Sequence, residues 1–210
     1  NPQVVKKLAD RGVAAVKSVD EITNEAVIIR SHGIGPSCYN DLKCKNSVLL
    51  DATCPFVKRN QKIVKGLAAE GKTIVLIGEK KHPEMLSVAE WAGEHPVIVE
   101  TMKDVDLLPA MKEAHIVIQT TFFLALAERL IEAISHKAES LVVHKTICNA
   151  TAERQQAAAE LAKNVDVMIV IGGRNSANTG RLVEVCQAEG AVTHHIETAE
   201  ELDLKWFRSH

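Results

Sequence analysis

Aromatic residues make up only 3% of this 210-residue chain, and neither sign of charge is in excess: 25 lysines and arginines stand against 27 aspartates and glutamates. So few rings leave little surface for stacked bases, and a net charge of −2 with a pI near 6.5 gives no basic field for nucleic acid or an anionic membrane. No apolar run approaches the roughly 20 residues of a membrane-spanning helix. No signal-peptide pattern occurs, which predicts a cytoplasmic compartment. Neither G-x-G-x-x-G nor G-x-x-x-x-G-K-[ST] is present, which weighs against a nucleotide-binding enzyme. The C-x-x-C pairs that zinc sites favour are also missing, as are low-complexity segments and flexible linkers. Five cysteines in an intracellular chain point to metal or redox chemistry rather than structural disulfides.

What the chain does have is a repeat. Cys54-Pro-Phe-Val-Lys-Arg-Asn-Gln and Cys148-Asn-Ala-Thr-Ala-Glu-Arg-Gln each open a helical stretch, and each leads to an apolar strand ending in glycine. Cys54 to Gly78 and Cys148 to Gly172 both span 24 positions, an offset of 94 that also pairs His82 with Ser176 and Glu84 with Asn178. A unit with a thiol at its start and polar groups after its strand suits a site shared around a pseudo-symmetry axis.

Short β-branched runs alternate with amphipathic helical stretches. The pattern predicts strands at Ala26–Arg30, Ser47–Leu50, Thr73–Ile77, Val97–Val99, His115–Gln119, Leu141–Val143, Val167–Ile171 and Val192–Ile196. It predicts helices at Pro2–Arg11, Pro55–Glu70, Pro83–Ala92, Leu124–Ser135, Thr151–Lys163 and Thr179–Glu189, and a last one from Ala199. Gly71 and Gly190 suit left-handed C-caps. Alternation of this kind predicts an α/β fold with parallel sheets, and wholly apolar strands predict burial on both faces. The repeat length divides the chain into residues 1–53, the back of a first, incomplete α/β domain; 54–143, a second; and 144–210, a third. The chain starts within helical sequence without Met and ends abruptly, which reads as a fragment of a longer protein.

Cys54 and Cys148 each sit where a strand gives way to a helix, a position that favours a thiolate and hence metal ligation. One such cysteine is as readily a buried small hydrophobe; two in the same register point to metal. Ligands contributed singly suit an iron–sulfur cluster better than zinc. Cys38, Cys44 and Cys186 break the register and read as structural or surface thiols. Four strands end in polar turns: Arg30-Ser31-His32-Gly33, Gly78 to His82-Pro83-Glu84, Gln119-Thr120-Thr121, and Gly172 to Asn175-Ser176-Ala177-Asn178. Ligands of open α/β sheets bind at such carboxyl ends, and histidines, hydroxyls, amides and helix N-termini together suit a diphosphate. Thr121 and Thr179 read more readily as ordinary helix N-caps. Glu84, two residues from His82, is a candidate proton relay or a first-turn helix glutamate. His95, His115, His136, His144, His194 and His195 form no comparable group in the sequence.

Arg30-Ser-His32-Gly, Asp51-Ala-Thr-Cys54-Pro, His82-Pro-Glu84, Gln119-Thr-Thr, Ile147-Cys148-Asn-Ala-Thr-Ala-Glu-Arg-Gln and Gly-Gly-Arg-Asn-Ser176-Ala-Asn178-Thr together resemble the 4-hydroxy-3-methylbut-2-enyl diphosphate reductase family, along essentially the whole chain. The resemblance implies a pseudo-threefold trefoil of small α/β domains around a 4Fe-4S cluster. The reaction implied is reductive dehydroxylation of the substrate to isopentenyl and dimethylallyl diphosphate. By motif, Cys54 and Cys148 would be cluster ligands, and His32, His82, Ser176 and Asn178 diphosphate and substrate contacts. Thr120 would meet the substrate's alcohol, and Glu84 would donate the proton. A ferredoxin or flavodoxin would supply electrons. The family's first cluster cysteine and a further substrate histidine would precede Asn1, and a last serine contact would follow His210. Ala177 stands where a second serine is usual, and Thr121-Phe122-Phe123 departs from the family continuation. The competing reading is a non-enzymatic anion-binding α/β module with incidental thiols. With one cysteine ligand missing, this chain alone is expected to be inactive; an anaerobic iron titration reading about four iron per chain, the content of an intact cluster, would overturn that expectation.

Overall fold

The computed structural model describes residues 2–23, 26–45, 47–94, 96–207; His95 lies outside them. In chain order the elements are α1 (Pro2–Ala9), β1 (Ala26–Ile29), α2 (Pro36–Cys44), β2 (Val48–Asp51), α3 (Pro55–Ala69), β3 (Ile74–Ile77), α4 (Pro83–Trp91), β4 (Val97–Val99), α5 (Met102–Asp106), β5 (Met111–Ile118), α6 (Leu124–Ser135), β6 (Ala138–His144), α7 (Asn149–Ala162), β7 (Val167–Ile171), α8 (Ala177–Ala188) and β8 (Val192–Ile196), with short 3-10 turns at Val19–Glu21, Ala199–Glu201 and Leu204–Phe207. Residues 16–147 form one compact body; the segment up to residue 15 and residues 148 onward form another.

Every strand pairing is parallel: β1 with β2, β7 with β8, and a four-stranded sheet in the order β4-β3-β5-β6. The apolar runs explain that sheet. Successive residues of β3 face opposite sides, so Val75 and Ile77 pack with Ile116, Leu130 and Ile134, while Ile74 and Leu76 pack with Val64, Leu67, Met85 and Val88. Both faces are therefore covered by helices, giving an α/β/α layering with a fully buried β3. The chain passes from β3 outward to β4, then crosses back to β5 and outward to β6. Strand order thus reverses between β3 and β5, which opens a crevice at their carboxyl ends.

All eight expected strands are present, with two extended. β5 starts at Met111 instead of His115, and β6 runs from Ala138 to His144 instead of Leu141 to Val143. These extensions pair with each other beyond the reach of β3, with one face toward solvent, so polar and apolar residues alternate and the apolar signal fades. Helices α2 and α5 were not expected: α2 buries only Leu42, and α5 is five residues long. The helix expected from Ala199 is a pair of 3-10 turns. Gly71 and Gly190 do adopt the left-handed conformation, as do Gly12 and Gly93 after α1 and α4.

The repeat is structural as well as sequential. A Cβ on Gly78 would lie 2.6 Å from Met85 Sδ, and one on Gly172 would lie 2.4 Å from Thr179 Oγ1; Met85 and Thr179 are themselves 94 apart. Each glycine lets the next helix press onto the strand tip. Each turn beyond it is then held by a latch. The Lys80 N–H donates to Glu100 (3.0 Å) and its ammonium pairs with Asp104, which caps the start of α5 through the Glu100 and Thr101 N–H groups (3.0 and 2.9 Å). In the other body the Arg174 N–H donates to Glu197 (2.6 Å) and its guanidinium pairs with Glu201, which accepts from the Glu197 and Thr198 N–H groups (2.9 and 3.3 Å). A third copy of the capping part lies at Lys17-Ser18-Val19-Asp20-Glu21, where the Lys17 N–H donates to Glu21 (3.3 Å). Burial opposes ionisation of Asp104, yet the Lys80 ammonium and the backbone donors outweigh it and hold the carboxyl far below its ordinary range.

Leu130→Ala, which empties a fully buried site under the sheet, is expected to lower unfolding stability by about 2–5 kcal/mol. Gly78→Ala, which forces Met85 or the bonded Gln119 aside, is expected to cost about 1–3 kcal/mol. Urea unfolding followed by circular dichroism measures both.

Candidate functional site

The crevice between β3 and β5 is where the sequence placed its polar turns. β3 ends at Gly78, and its turn delivers His82 to the N-cap of α4. There the His82 Nδ1 accepts the Glu84 N–H (3.2 Å), and Pro83 fills the first helical position, where no N–H is needed. β5 ends at Ile118 and delivers Gln119, Thr120 and Thr121. Glu84, only 2% exposed, reaches from the first turn of α4 to this second tip. Its Oε1 accepts the Thr120 N–H and its Oε2 accepts the Thr120 Oγ1–H, each at 2.7 Å. Buried Gln119 makes the reverse stitch, accepting the Glu79 N–H (2.8 Å) and donating to Thr121 Oγ1 (3.1 Å). Burial pushes the Glu84 carboxyl up, against the lowering effect of both Thr120 hydrogen bonds, and nearby Glu79 adds to the rise. The arrangement shifts a buried carboxyl toward its protonated form with a hydroxyl beside it, which suits a proton donor. Thr121 is not an N-cap: Phe123 occupies that position on α6.

A third tip meets the first two. β1 leads into Ser31-His32-Gly33, and the His32 ring stands edge-on to that of His82 with centroids 5.2 Å apart. Gly33 takes a positive φ of 72°, and a Cβ there would fall 2.5 Å from Gln61 Nε2. The loop is fixed from α4, where the Trp91 Nε1–H donates to Ile34 O (3.0 Å) and Glu90 accepts the Ser37 N–H (2.7 Å). Cys54 joins this group through its own N–H, which donates to Ser31 O (3.0 Å). Burial lowers the His32 pKa, and the nearby positive charges of His82 and Arg30 lower it further, so the ring is held toward its neutral form. Its Nδ1 is buried with no hydrogen-bond partner among the described residues, as a group oriented toward a ligand would be.

The second body repeats the design with other side chains. Ser176 caps α8, its Oγ accepting the Thr179 N–H (3.3 Å), and the buried Asn178 Oδ1 has no partner among the described residues. Thr179, an N-cap candidate in the sequence, lies inside the helix. Cys148 starts α7 as Cys54 starts α3, and neither side chain bonds to its helix N-terminus. Each thiol is of the kind that an iron–sulfur cluster takes as a ligand. Among the described residues no three His, Cys, Asp or Glu side chains gather to hold a metal ion. Of the sequence candidates, Cys54, His32, His82, Glu84 and Thr120 come together in the body of residues 16–147; Cys148, Ser176 and Asn178 belong to the other.

The sequence reading kept His115 and His144 apart, but their rings stack at 5.5 Å with nitrogens 3.2 Å apart; the residues are 29 positions apart and meet only because β5 and β6 pair. It also passed over Asn60 and Thr146. Asn60 interrupts the buried stripe Val57, Val64, Leu67 of α3, a polar residue on an apolar helical face that periodicity could have flagged. Thr146 carries no such signal.

The pattern of the LytB protein family matches residues 1–210. A 4-hydroxy-3-methylbut-2-enyl diphosphate reductase of Pelobacter propionicus is 42% identical over 99% of this chain and 74% of its own length. That of Geobacter sulfurreducens is 44% identical, also over 99% and 74%. The chain belongs to the LytB family. A solved (E)-4-hydroxy-3-methyl-but-2-enyl diphosphate reductase, described as the terminal enzyme of the non-mevalonate pathway, superposes with TM-score 0.71 at 40% identity, covering 100% of this chain and 75% of that one. The E-1-hydroxy-2-methyl-but-2-enyl-4-diphosphate reductase of Plasmodium falciparum superposes with TM-score 0.93 at 29% identity, covering 97% and 66%. In this LytB member no helix among the described residues is long and apolar enough to cross a membrane.

Because folding raises the Glu84 pKa, its protonated form stabilises the fold below the ordinary carboxylate range, and that contribution is lost as pH rises through the raised value. Glu84→Gln keeps an acceptor for the Thr120 N–H and removes the titration. The difference in urea midpoint, parent minus variant, is expected to fall as pH rises from acidic to neutral, because carboxylates such as Asp104 contribute alike to both proteins.

Proposed function

We propose that this chain carries the chemistry of a 4-hydroxy-3-methylbut-2-enyl diphosphate reductase, with the buried Glu84–Thr120 pair as its proton-delivering group. Membership of a family whose curated relatives bear that name supports the reading, and the pair at the strand-order reversal is the observation that carries it. In the reaction the allylic carbon–oxygen bond breaks, the oxygen leaves as water, and the carbon gains a hydrogen; two electrons and two protons balance the change. When bound through Cys54 and Cys148 with further ligands, an iron–sulfur cluster supplies the electrons singly and a Lewis-acidic iron for the departing oxygen.

The rest is work for this chain's own side chains. Thr120 Oγ1, hydrogen-bonded to Glu84 Oε2, is the hydroxyl that meets the substrate's alcohol. Burial favours the protonated form of Glu84; when the Thr120 hydroxyl turns to donate to the leaving oxygen, its Oγ1 accepts from the Glu84 carboxyl instead, and the proton moves along that bond as the leaving oxygen becomes more basic. His32 and His82, with their rings in a T-shaped arrangement, serve as donors for diphosphate oxygens, with the N-terminus of α4 behind His82 adding partial positive charge. Ser176 and Asn178 take the same part at α8. The three-lobe division at residues 1–53, 54–143 and 144–210, the trefoil arrangement, a ferredoxin or flavodoxin as electron donor and a cytoplasmic setting belong to the same reading.

Anaerobic reconstitution with iron and sulfide, on a chain extended at both ends to the length of its relatives, tests it. Cys54→Ser and Cys148→Ser are each expected to lower bound iron and to weaken the charge-transfer absorption. Glu84→Gln is expected to keep the iron and lose about 10²–10⁴-fold in kcat, the usual contribution of a general acid. A protein that binds diphosphate but takes up no iron would instead be an anion-binding module.

A further inference from the structure

The polar groups of Asn60 and Thr146 converge on one peptide, that of Ile118, the last residue of β5. The Ile118 N–H donates to Thr146 Oγ1 (2.7 Å), the Thr146 hydroxyl donates to Ile118 O (2.8 Å), and Asn60 Nδ2 donates to the same carbonyl (3.0 Å). Both side chains are fully enclosed, with 1% and 2% of their surfaces exposed. The ladder explains why the bonds are there. β6 pairs with β5 up to Val117 opposite His144 and then leaves the sheet, two residues ahead of Thr146. On the other side β3 still pairs with β5 through Ile77 opposite Ile118, and the Gln119 N–H donates to Ile77 O (2.8 Å). Ile118 would therefore have an unmatched face where β6 departs, and leaving buried backbone polar groups unmatched is unfavourable. The Thr146 hydroxyl replaces the missing rung, acting as both acceptor and donor.

This peptide is two residues before Thr120, whose N–H and hydroxyl both hold Glu84. Packing alone does not call for asparagine at 60: the stripe is otherwise aliphatic, and the Oδ1 of Asn60 is buried with no partner among the described residues. An amide there leaves an unsatisfied acceptor, and its return is a second bond on the Ile118 carbonyl. We propose that Asn60 and Thr146 are positioning residues that clamp the tip of β5 and so fix the alignment of Thr120 on Glu84; the proposal rests on the reductase reading for its effect on turnover.

Three variants of the protein test the clamp: Thr146→Val, which keeps the shape and removes the hydroxyl; Thr146→Ser, which keeps the hydroxyl; and Asn60→Ala. Amide hydrogen exchange at Thr120 and the titration of the Glu84 carboxyl, followed by carbon NMR, read the alignment directly. In Thr146→Val, exchange at Thr120 is expected to quicken by about tenfold or more as the strand tip opens locally, and the Glu84 titration to move to higher pH as the two lowering hydrogen bonds loosen. Thr146→Ser is expected to return both readings to the parent values, and Asn60→Ala to give the same directions as Thr146→Val in smaller measure. In reconstituted protein kcat is expected to fall by about 10–100-fold at little change in KM, the scale of a small misplacement of a reacting group. Unchanged exchange and titration in folded Thr146→Val and Asn60→Ala would overturn the proposal, as would a Thr146→Ser that behaves like valine. If Thr146→Val does not fold, the serine and alanine variants still decide it. If the reductase reading fails, no variant turns over an allylic diphosphate, yet exchange and titration still report on the clamp.

Discussion

A carboxyl group taken out of water must either keep its proton or find donors, and Glu84 is arranged so that both conditions bear on it at once. Burial favours the protonated form; the N–H and the hydroxyl of Thr120 favour the anion. The two influences oppose each other, with burial the larger, so the carboxyl is shifted toward its protonated form. Nearly everything else in the larger body serves that balance. Parallel strands point their carboxyl ends the same way, the reversal of strand order sends the turns after β3 and β5 apart, and the helices on both faces keep solvent out.

Much of this was legible in the chain. Strands such as Ile74–Ile77 are apolar throughout because both faces are covered, and such runs are hard to mistake. The polar turns were visible because Gly78, Pro83 and Gly172 punctuate them. The less visible parts depend on contacts between distant segments. The first half of β5 has neighbours on one side only and a face toward solvent, so Met111-Lys-Glu-Ala alternates and reads weakly as a strand. His115 and His144 become partners through pairing of β5 with β6, which no local pattern encodes. Thr146 is a threonine like many others until the ladder beside it ends.

The sheets also show how the repeat is built. β7, α8 and β8 match β3, α4 and β4, while β1, α2, β2 and the cysteine after them match β5, α6, β6 and theirs. The repeat visible in the sequence therefore runs from a cysteine at the end of one sheet, through a helix, to the opening strand of the next. One full period, from Cys54 to Ile147, therefore holds the whole four-stranded sheet β3 to β6.

The latches on the turns after β3 and β7 carry a historical implication. In both copies the cation stands two residues before the candidate phosphate contact, Lys80 before His82 and Arg174 before Ser176, and the capping carboxylate recurs a third time at Glu21. The side chains these turns present have meanwhile diverged: imidazole and carboxyl in one copy, hydroxyl and amide in the other. A duplicated ancestor with a rigid, already fastened turn could change what that turn displayed without endangering the fold. A difference among the copies, with a buried carboxyl in one and neutral hydrogen-bonding groups in another, then requires only substitutions at the tips.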